Sequence, residues 1–219
     1  WQDHLDVIYQ GGECRHPAFI ALAPVIREHG IERGLFEKML EAFRRDQTVR
    51  RYLTWEELRG YTAGSADPVG RWVLRLYGYR DPELDRLSDE ICTGLQLVNF
   101  LQDVREDYLL RDRIYLPEES RDRFGVSEEM FGRSPTPAPL RELLRDMAGR
   151  AERLLAAGRP LIRRVRPELA RQLVLFHGGG RLALRALRCS GYNPASRPVR
   201  VSRVEKAALL LRALRGVPL

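Results

Sequence analysis

Gln96, Asn99, Asp103, Glu106 and Asp107, in the stretch TGLQLVNFLQDVRED, set oxygen-bearing side chains at helical spacing. At about 100° per residue, Asn99, Asp103 and Asp107 step by ~40° each and Gln96 returns to within ~20° of Asp103, so four of them share one stripe with Glu106 at its margin. Leu97, Val98, Leu101 and Val104 supply the apolar stripe on the other side. The polar stripe is therefore expected to face a cavity. Two aspartates four residues apart repel by roughly a few tenths of a kcal/mol on a bare helix, a cost that a bound divalent cation removes. Oxygen donors of this kind suit Mg²⁺, which keeps several waters and shares its other positions with phosphate oxygens. An Asp-x-x-x-Asp pair alone is more often a solvated helix face. Gln96 and Asn99 shift that balance, because amides set between apolar residues must find hydrogen-bond partners.

The following loop, LLRDRIYLP, brings Arg111, Arg113 and Tyr115 near the Asp107 end. Arginines beside a carboxylate pair are what a site for Mg²⁺ and a diphosphate needs, since the metal neutralises some phosphate oxygens and guanidinium forks take others.

Helices must position these groups, and the chain reads as all-α with no convincing strand and no internal repeat. Thr54 and Glu57 make a capping box that starts a helix at Trp55. Pro68 should bend that helix, because its ring clashes with the Gly64 carbonyl. Tyr61, seven residues before Pro68, lies on the face that the bend opens. Asp81 and Pro82 begin the long site helix in the order N-cap then proline, and it is expected to run to about Leu110. Ser134 to Leu140 is a proline-rich surface connection, and further helices start near Pro139 and Pro167. Gly178, Gly179 and Gly180 would by propensity end the latter, although small residues also let helices pack closely. Ser202 and Glu205 form a second capping box ahead of a leucine stripe.

Composition sets outer bounds. A length of 219 residues with 44% apolar content supports one helical domain over residues 1–219. No apolar run is long enough to span a bilayer. Cys14, Cys92 and Cys189 match neither a disulfide framework nor a zinc site, and reduced thiols in a cytoplasm are the simplest expectation. The net charge of +7 comes almost wholly from arginine, since Lys38 and Lys206 are the only lysines. These arginines are dispersed among acidic residues without interleaved aromatics, which argues against nucleic acid. A basic face could instead hold the protein at the inner surface of a membrane, with Ser202 to Gly216 as the candidate contact; packing on the domain is the commoner role for such a helix. No GxGxxG fingerprint supports a nicotinamide site.

The run QLVNFLQDVRED followed by RIYLP resembles the second aspartate-rich motif and following flap of the squalene and phytoene synthases, an all-α family of isoprenoid synthases built around a central cavity. ECRHPAFIALAPVIREHGI, AFRRDQTVRRYLTWEELRGYTAGSADPVGRWVLRLYGY and LALRALRCSGYNP extend the resemblance over nearly the whole chain, and SADPVG with NFLQDV look most like the hydroxysqualene synthase branch of bacterial hopanoid biosynthesis. The resemblance implies Mg²⁺ bound by Asp103 and Asp107 with Asn99 and Gln96 in support, and it places Arg51, Tyr52, Tyr61, Arg113 and Tyr115 around the diphosphate or the reacting carbons. Gln102 stands where the wider family commonly has Arg, and Asp67 with Pro68 where a small Gly is common.

The family's first DxxxD motif has no counterpart here. Asp3 and Asp6 have the wrong spacing, and Asp85 and Asp89 lie ~21 Å from Asp103 along the same helix, too far to share a metal cluster. The latter pair is expected to be a solvated face. The chain begins at Trp1, just downstream of where the first motif should fall, and an N-terminal portion is expected to be missing. The implied activity is Mg²⁺-dependent conversion of presqualene diphosphate and water to hydroxysqualene and diphosphate. Head-to-head condensation of two farnesyl or geranylgeranyl diphosphates is the enzymatic alternative, and a non-catalytic assembly module of the same fold is the alternative of another class.

Overall fold

Apolar residues recurring at three- and four-residue spacing make helices over most of the chain, and the computed structural model describes them for residues 1–196 and 201–215. In order they are α1 (Gln2–Tyr9), α2 (Pro17–His29), α3 (Arg33–Thr48), α4 (Trp55–Ser65), α5 (Asp67–Leu76), α6 (Pro82–Gln102), α7 (Val104–Arg111), α8 (Glu118–Arg123), α9 (Ala138–Gly158), α10 (Leu161–Arg164), α11 (Pro167–Cys189) and α12 (Arg203–Leu214). A 3₁₀ turn covers Glu128–Gly132. Among the described residues there is no strand, only one isolated parallel bridge between Arg51 and Ile114. No described helix is long and apolar enough to cross a membrane.

The axis of the bundle is α6, which starts as its sequence dictates. The Asp81 side chain accepts from the Glu83 amide at 2.8 Å, and Pro82 occupies the first turn, where no amide is needed. Helix α9 runs closely along it. A Cβ on Gly158 would lie 2.6 Å from the Leu87 carbonyl oxygen and 3.0 Å from the Ile91 amide nitrogen, so only glycine permits this approach. Leu97, Leu101, Leu143, Leu144, Met147 and Ala151 are among the side chains buried in the central cluster. Leu5, Ile8, Phe19, Ile26 and Phe36 form a second cluster among α1, α2 and α3.

The bend expected at Pro68 becomes a helix boundary, and a second boundary interrupts the site helix. Helix α4 stops at Ser65, Ala66 departs to φ −117° and ψ −50°, and Pro68 sits in the first turn of α5. A proline is tolerated there, where the helix interior would lose a hydrogen bond. The site helix does not run unbroken to Leu110. It is interrupted at Asp103 (φ −96°, ψ 6°), although Asp103 N–H still donates to the Asn99 carbonyl (2.9 Å) and Asp107 N–H to that of Asp103 (2.8 Å). The glycine triplet does not end α11: a Cβ at Gly178 would meet Leu209 at 2.4 Å and one at Gly180 would meet Leu95 at 2.6 Å. Close packing on both sides outweighs the propensity cost.

Asp85 and Asp89 are not a solvated face. Each is 8% exposed, and each receives two hydrogen bonds from an arginine on α5: Arg75 to Asp85 at 2.7 and 2.7 Å, and Arg71 to Asp89 at 2.9 and 2.5 Å. Pairs spaced four residues apart on two adjacent helices form a ladder that locks α5 against α6. Thr93, one turn beyond Asp89, donates at 2.8 Å to Asp67, which also accepts from Arg59 at 2.7 Å.

Candidate active site

The stripe residues run across the α6–α7 junction, and each is set by its local surroundings. Gln96 and Asn99 lie in the last turns of α6, half-buried and exposed respectively. Asp103 caps the junction on the exposed rim. Asp107 is buried and its Oδ1 accepts from Arg111 at 2.6 Å; the marginal Glu106 accepts from the same guanidinium at 3.3 Å. Asp112 ends α7 in the left-handed region (φ 50°), a conformation that aspartate tolerates better than most residues, and this lets the Arg113 amide donate to the Asp107 carbonyl at 2.9 Å.

Beyond that turn the chain pairs with the segment before α4. The Ile114 amide donates to the Arg50 carbonyl and the Glu118 amide to that of Tyr52, both at 2.9 Å. This pairing builds an aromatic cluster. Tyr115 stacks on Phe100 with centroids 3.9 Å apart and planes 9° apart, and lies 5.8 Å from Tyr61 and 5.9 Å from Tyr52. Tyr52 and Tyr61 are 1% and 4% exposed. Burial pushes the phenols of Tyr52, Tyr61 and Tyr115 upward, so all three stay protonated. Arg113 donates to the Tyr115 hydroxyl (3.3 Å) and to the Asp46 carbonyl (2.5 Å). Arg51 is engaged elsewhere: it donates to Glu128 at 2.8 and 2.9 Å and to Asp112 Oδ1 at 2.9 Å, so any diphosphate contact would have to displace a carboxylate.

A cavity of about 310 Å³ opens between α4–α5, α6 and α10–α11. Its walls include Val69, Val73, Ile91, Leu161, Leu169 and Leu173, and Gln96 and Asn99 stand among its few polar groups. The break at Ala66 shapes one wall, where the buried Ser65 hydroxyl has no hydrogen-bond partner. Cys92 also lines it, its thiol pushed up to about 12 by burial and hence unreactive as a nucleophile. The cavity thus runs from an apolar interior to an amide-bearing margin, and from Asn99 the stripe continues one turn to Asp103 and two to Asp107.

Desolvation on its protein side, with the Glu106 carboxylate nearby, holds the Asp103 carboxyl above its ordinary value. Burial does the same for Asp107, opposed by Arg111. Among the described residues no group of three or more His, Cys, Asp or Glu side chains converges as a metal site. Asp103 is pressed by Glu106, and Asp107 by Asp103 while it already holds Arg111. Together with the Asn99 amide they are oxygen donors of the kind a hard cation takes when water and phosphate complete its shell.

Sequence reasoning passed over Asp46. Its Oδ1 is buried without a hydrogen-bond partner, 3.9 Å from Arg113 and beside the tyrosine cluster. One signal was available: an acidic residue in the last turn of α3 opposes the helix dipole and so wants another reason to be there. The wall residues of α10 and α11 carried no signal, because only tertiary packing brings them to the cavity.

A helical bundle with an aspartate-bearing helix end beside an apolar cavity defines the isoprenoid-synthase class of fold. The squalene/phytoene synthase family model matches residues 1–205, and the chain belongs to that family. Squalene synthase HpnC from Alicyclobacillus acidocaldarius superposes with a TM-score of 0.84 at 40% identity, covering 88% of this chain and 73% of that one. A dehydrosqualene synthase solved with a ligand superposes at 0.89 and 26% identity, covering 98% and 75%. Hydroxysqualene synthases from Sinorhizobium fredii and Zymomonas mobilis are 38% and 35% identical over 71% and 66% of this chain. The chain spans about half the length of these curated relatives, 52% and 49%.

Proposed function

We propose that the protein converts a prenyl diphosphate with the help of Mg²⁺, and specifically presqualene diphosphate and water to hydroxysqualene and diphosphate. The carrying observation is the apolar cavity margined by Gln96 and Asn99, from which one stripe continues to Asp103 and Asp107. The similarity to hydroxysqualene synthases supports the choice of substrate.

Asp103 and Asp107, with Asn99, would hold Mg²⁺, which when bound supplies positive charge to the leaving diphosphate. Gln96 donates to a phosphate oxygen from the cavity margin. Arg113 adds charge near Asp107, and Arg51 contributes only by exchanging Glu128 or Asp112 for phosphate. The carbon–oxygen bond breaks with its electron pair going to the diphosphate. The apolar walls exclude bulk water from the cation left behind. Faces of Tyr61, Phe100 and Tyr115 would stabilise that cation, and the phenols of Tyr61 and Tyr115, being protonated, do not act as nucleophiles. A single admitted water forms the new carbon–oxygen bond and passes its proton to the released diphosphate. The unpartnered Ser65 hydroxyl is suited to hold that water. Such a substrate and product partition into membranes, so the protein would work in the cytoplasm at the inner membrane face.

Head-to-head condensation of two prenyl diphosphates is the second reading, favoured by the superposition on a dehydrosqualene synthase over 98% of this chain. Incubation with labelled presqualene diphosphate and Mg²⁺ separates the two. Release of hydroxysqualene, reduced at least ~100-fold in Asp103→Asn, is expected from the loss of transition-state charge stabilisation. Product from farnesyl diphosphate alone would favour condensation. No turnover of either substrate, with no Mg²⁺-dependent binding, would leave a non-catalytic module.

A further inference from the structure

The last residue of α7 seats a guanidinium on the carboxylates that the proposed function gives to Mg²⁺. Arg111 donates to Asp107 Oδ1 at 2.6 Å and to Glu106 at 3.3 Å, and its charge bears on Asp103 as well. Asp107 is buried, so a charge-assisted bond of this length on one of its two oxygens is a firm hold. A divalent cation takes carboxylate oxygens too. Arginine and metal therefore compete for Asp107.

An ion pair four residues apart on a solvated helix face contributes little and needs no further role. Two features set this one apart. The backbone of Arg111 is pinned while its side chain is not: its carbonyl accepts from Arg50 at 3.2 Å, and the left-handed turn at Asp112 is held by Arg51 at 2.9 Å. The guanidinium end is about half exposed, and among the described residues its side chain has no hydrogen-bond partner besides Asp107 and Glu106. The second feature is the contrast with its neighbours. Arg51 is tied to Glu128 and Asp112, and Arg113 to the Asp46 carbonyl and the Tyr115 hydroxyl, all groups that a cation on Asp103 and Asp107 leaves untouched. Arg111 differs from both. Its partner is itself a proposed metal ligand, so metal binding sets its five donors free beside an incoming diphosphate.

We propose that Arg111 is an exchange residue: it occupies Asp107 and Glu106 until a divalent cation displaces it, and the released guanidinium then binds an oxygen of the substrate's diphosphate. The proposal rests on the Mg²⁺ reading of the proposed function and adds a coupling to it, since each ligand favours the arrangement that the other needs. Two affinities test it: that for Mn²⁺ alone, from the paramagnetic resonance of free Mn²⁺, and that for methylenediphosphonate at saturating Mg²⁺, from calorimetry. Arg111→Gln removes the competitor and the phosphate donor together. It should bind Mn²⁺ at least ~5-fold more tightly and the diphosphonate at least ~10-fold more weakly than the wild type, as the loss of a hydrogen bond to a charged group implies. Arg111→Lys keeps the charge and should return Mn²⁺ affinity towards that of the wild type. Arg50→Gln, which removes a charge from the same rim without touching Asp107, should shift both affinities by less than about 2-fold. A local ion pair would change neither affinity, a phosphate ligand that never blocks the metal would leave Mn²⁺ unchanged, and a structural brace would weaken both. Each of these results overturns the proposal, as does an equal gain of Mn²⁺ affinity in Arg50→Gln. Opposite shifts in a protein that turns over no presqualene diphosphate uphold the exchange and remove the proposed reaction. Turnover with unshifted affinities removes the exchange alone.

Discussion

Asp67 shows how much a single buried carboxyl can carry. It is 3% exposed, bonded to Arg59 and Thr93, and burial pushes its carboxyl up to about 6 in spite of those partners. The folded state therefore holds this proton more tightly than the unfolded chain, whose aspartates titrate near ~3.9. Its contribution to stability is complete below about pH 4 and is lost as pH rises through about 6, by at most ~3 kcal/mol. Denaturant midpoints at pH 4.5 and 7.5 should differ less in Asp67→Asn than in the wild type; an unchanged difference would assign the pH dependence to other groups. Residue chemistry at the site was legible where it repeats. Gln96, Asn99, Asp103 and Asp107 stood out by helical spacing, and Tyr61 and Tyr115 by the resemblance to the family. Asp46 did not, since one isolated polar residue carries no period.

Among elements, the helices and their starts were readable because caps and prolines act within four residues: Thr54 accepts from the Glu57 amide at 3.2 Å, and Ser202 forms a complete capping box. Interruptions were less so. A helix boundary at Ala66 and another at Asp103 depend on what packs against each half, as does the passage of α11 through three glycines. The same dependence separates two glycines of α9. Gly158→Ala drives a methyl group into the Leu87 carbonyl and should destabilise the fold by about 1–3 kcal/mol. Gly149→Ala meets only the Arg153 guanidinium at 3.5 Å and should stabilise it by about 0.5–1 kcal/mol through helix propensity. Urea unfolding of the two variants checks both; equal effects would mean that α9 can move away from α6.

For the whole molecule, the cavity between α4–α5, α6 and α10–α11 should make stability depend on its ligand. A non-hydrolysable prenyl diphosphate with Mg²⁺, at about 100 times its dissociation constant, should add ~2.7 kcal/mol and raise the unfolding temperature by roughly 5–10 °C. Mg²⁺ without the diphosphate should do far less, since Asp103, Asp107 and Asn99 are too few to hold it firmly, and calorimetry with and without the analogue measures the contrast. The sequence by itself determined the helical class, the helix starts, the polar stripe and the resemblance to one family, because each is written in periods and caps spanning a few residues. Tertiary structure alone decided that Asp85 and Asp89 lock α5 to α6 instead of facing water, and that Arg51 is already held by Glu128 and Asp112. It also decided that α12 turns leucines outward. A charged side chain's partner lies on another helix, tens of residues away, and no local pattern encodes which one will be within 3 Å.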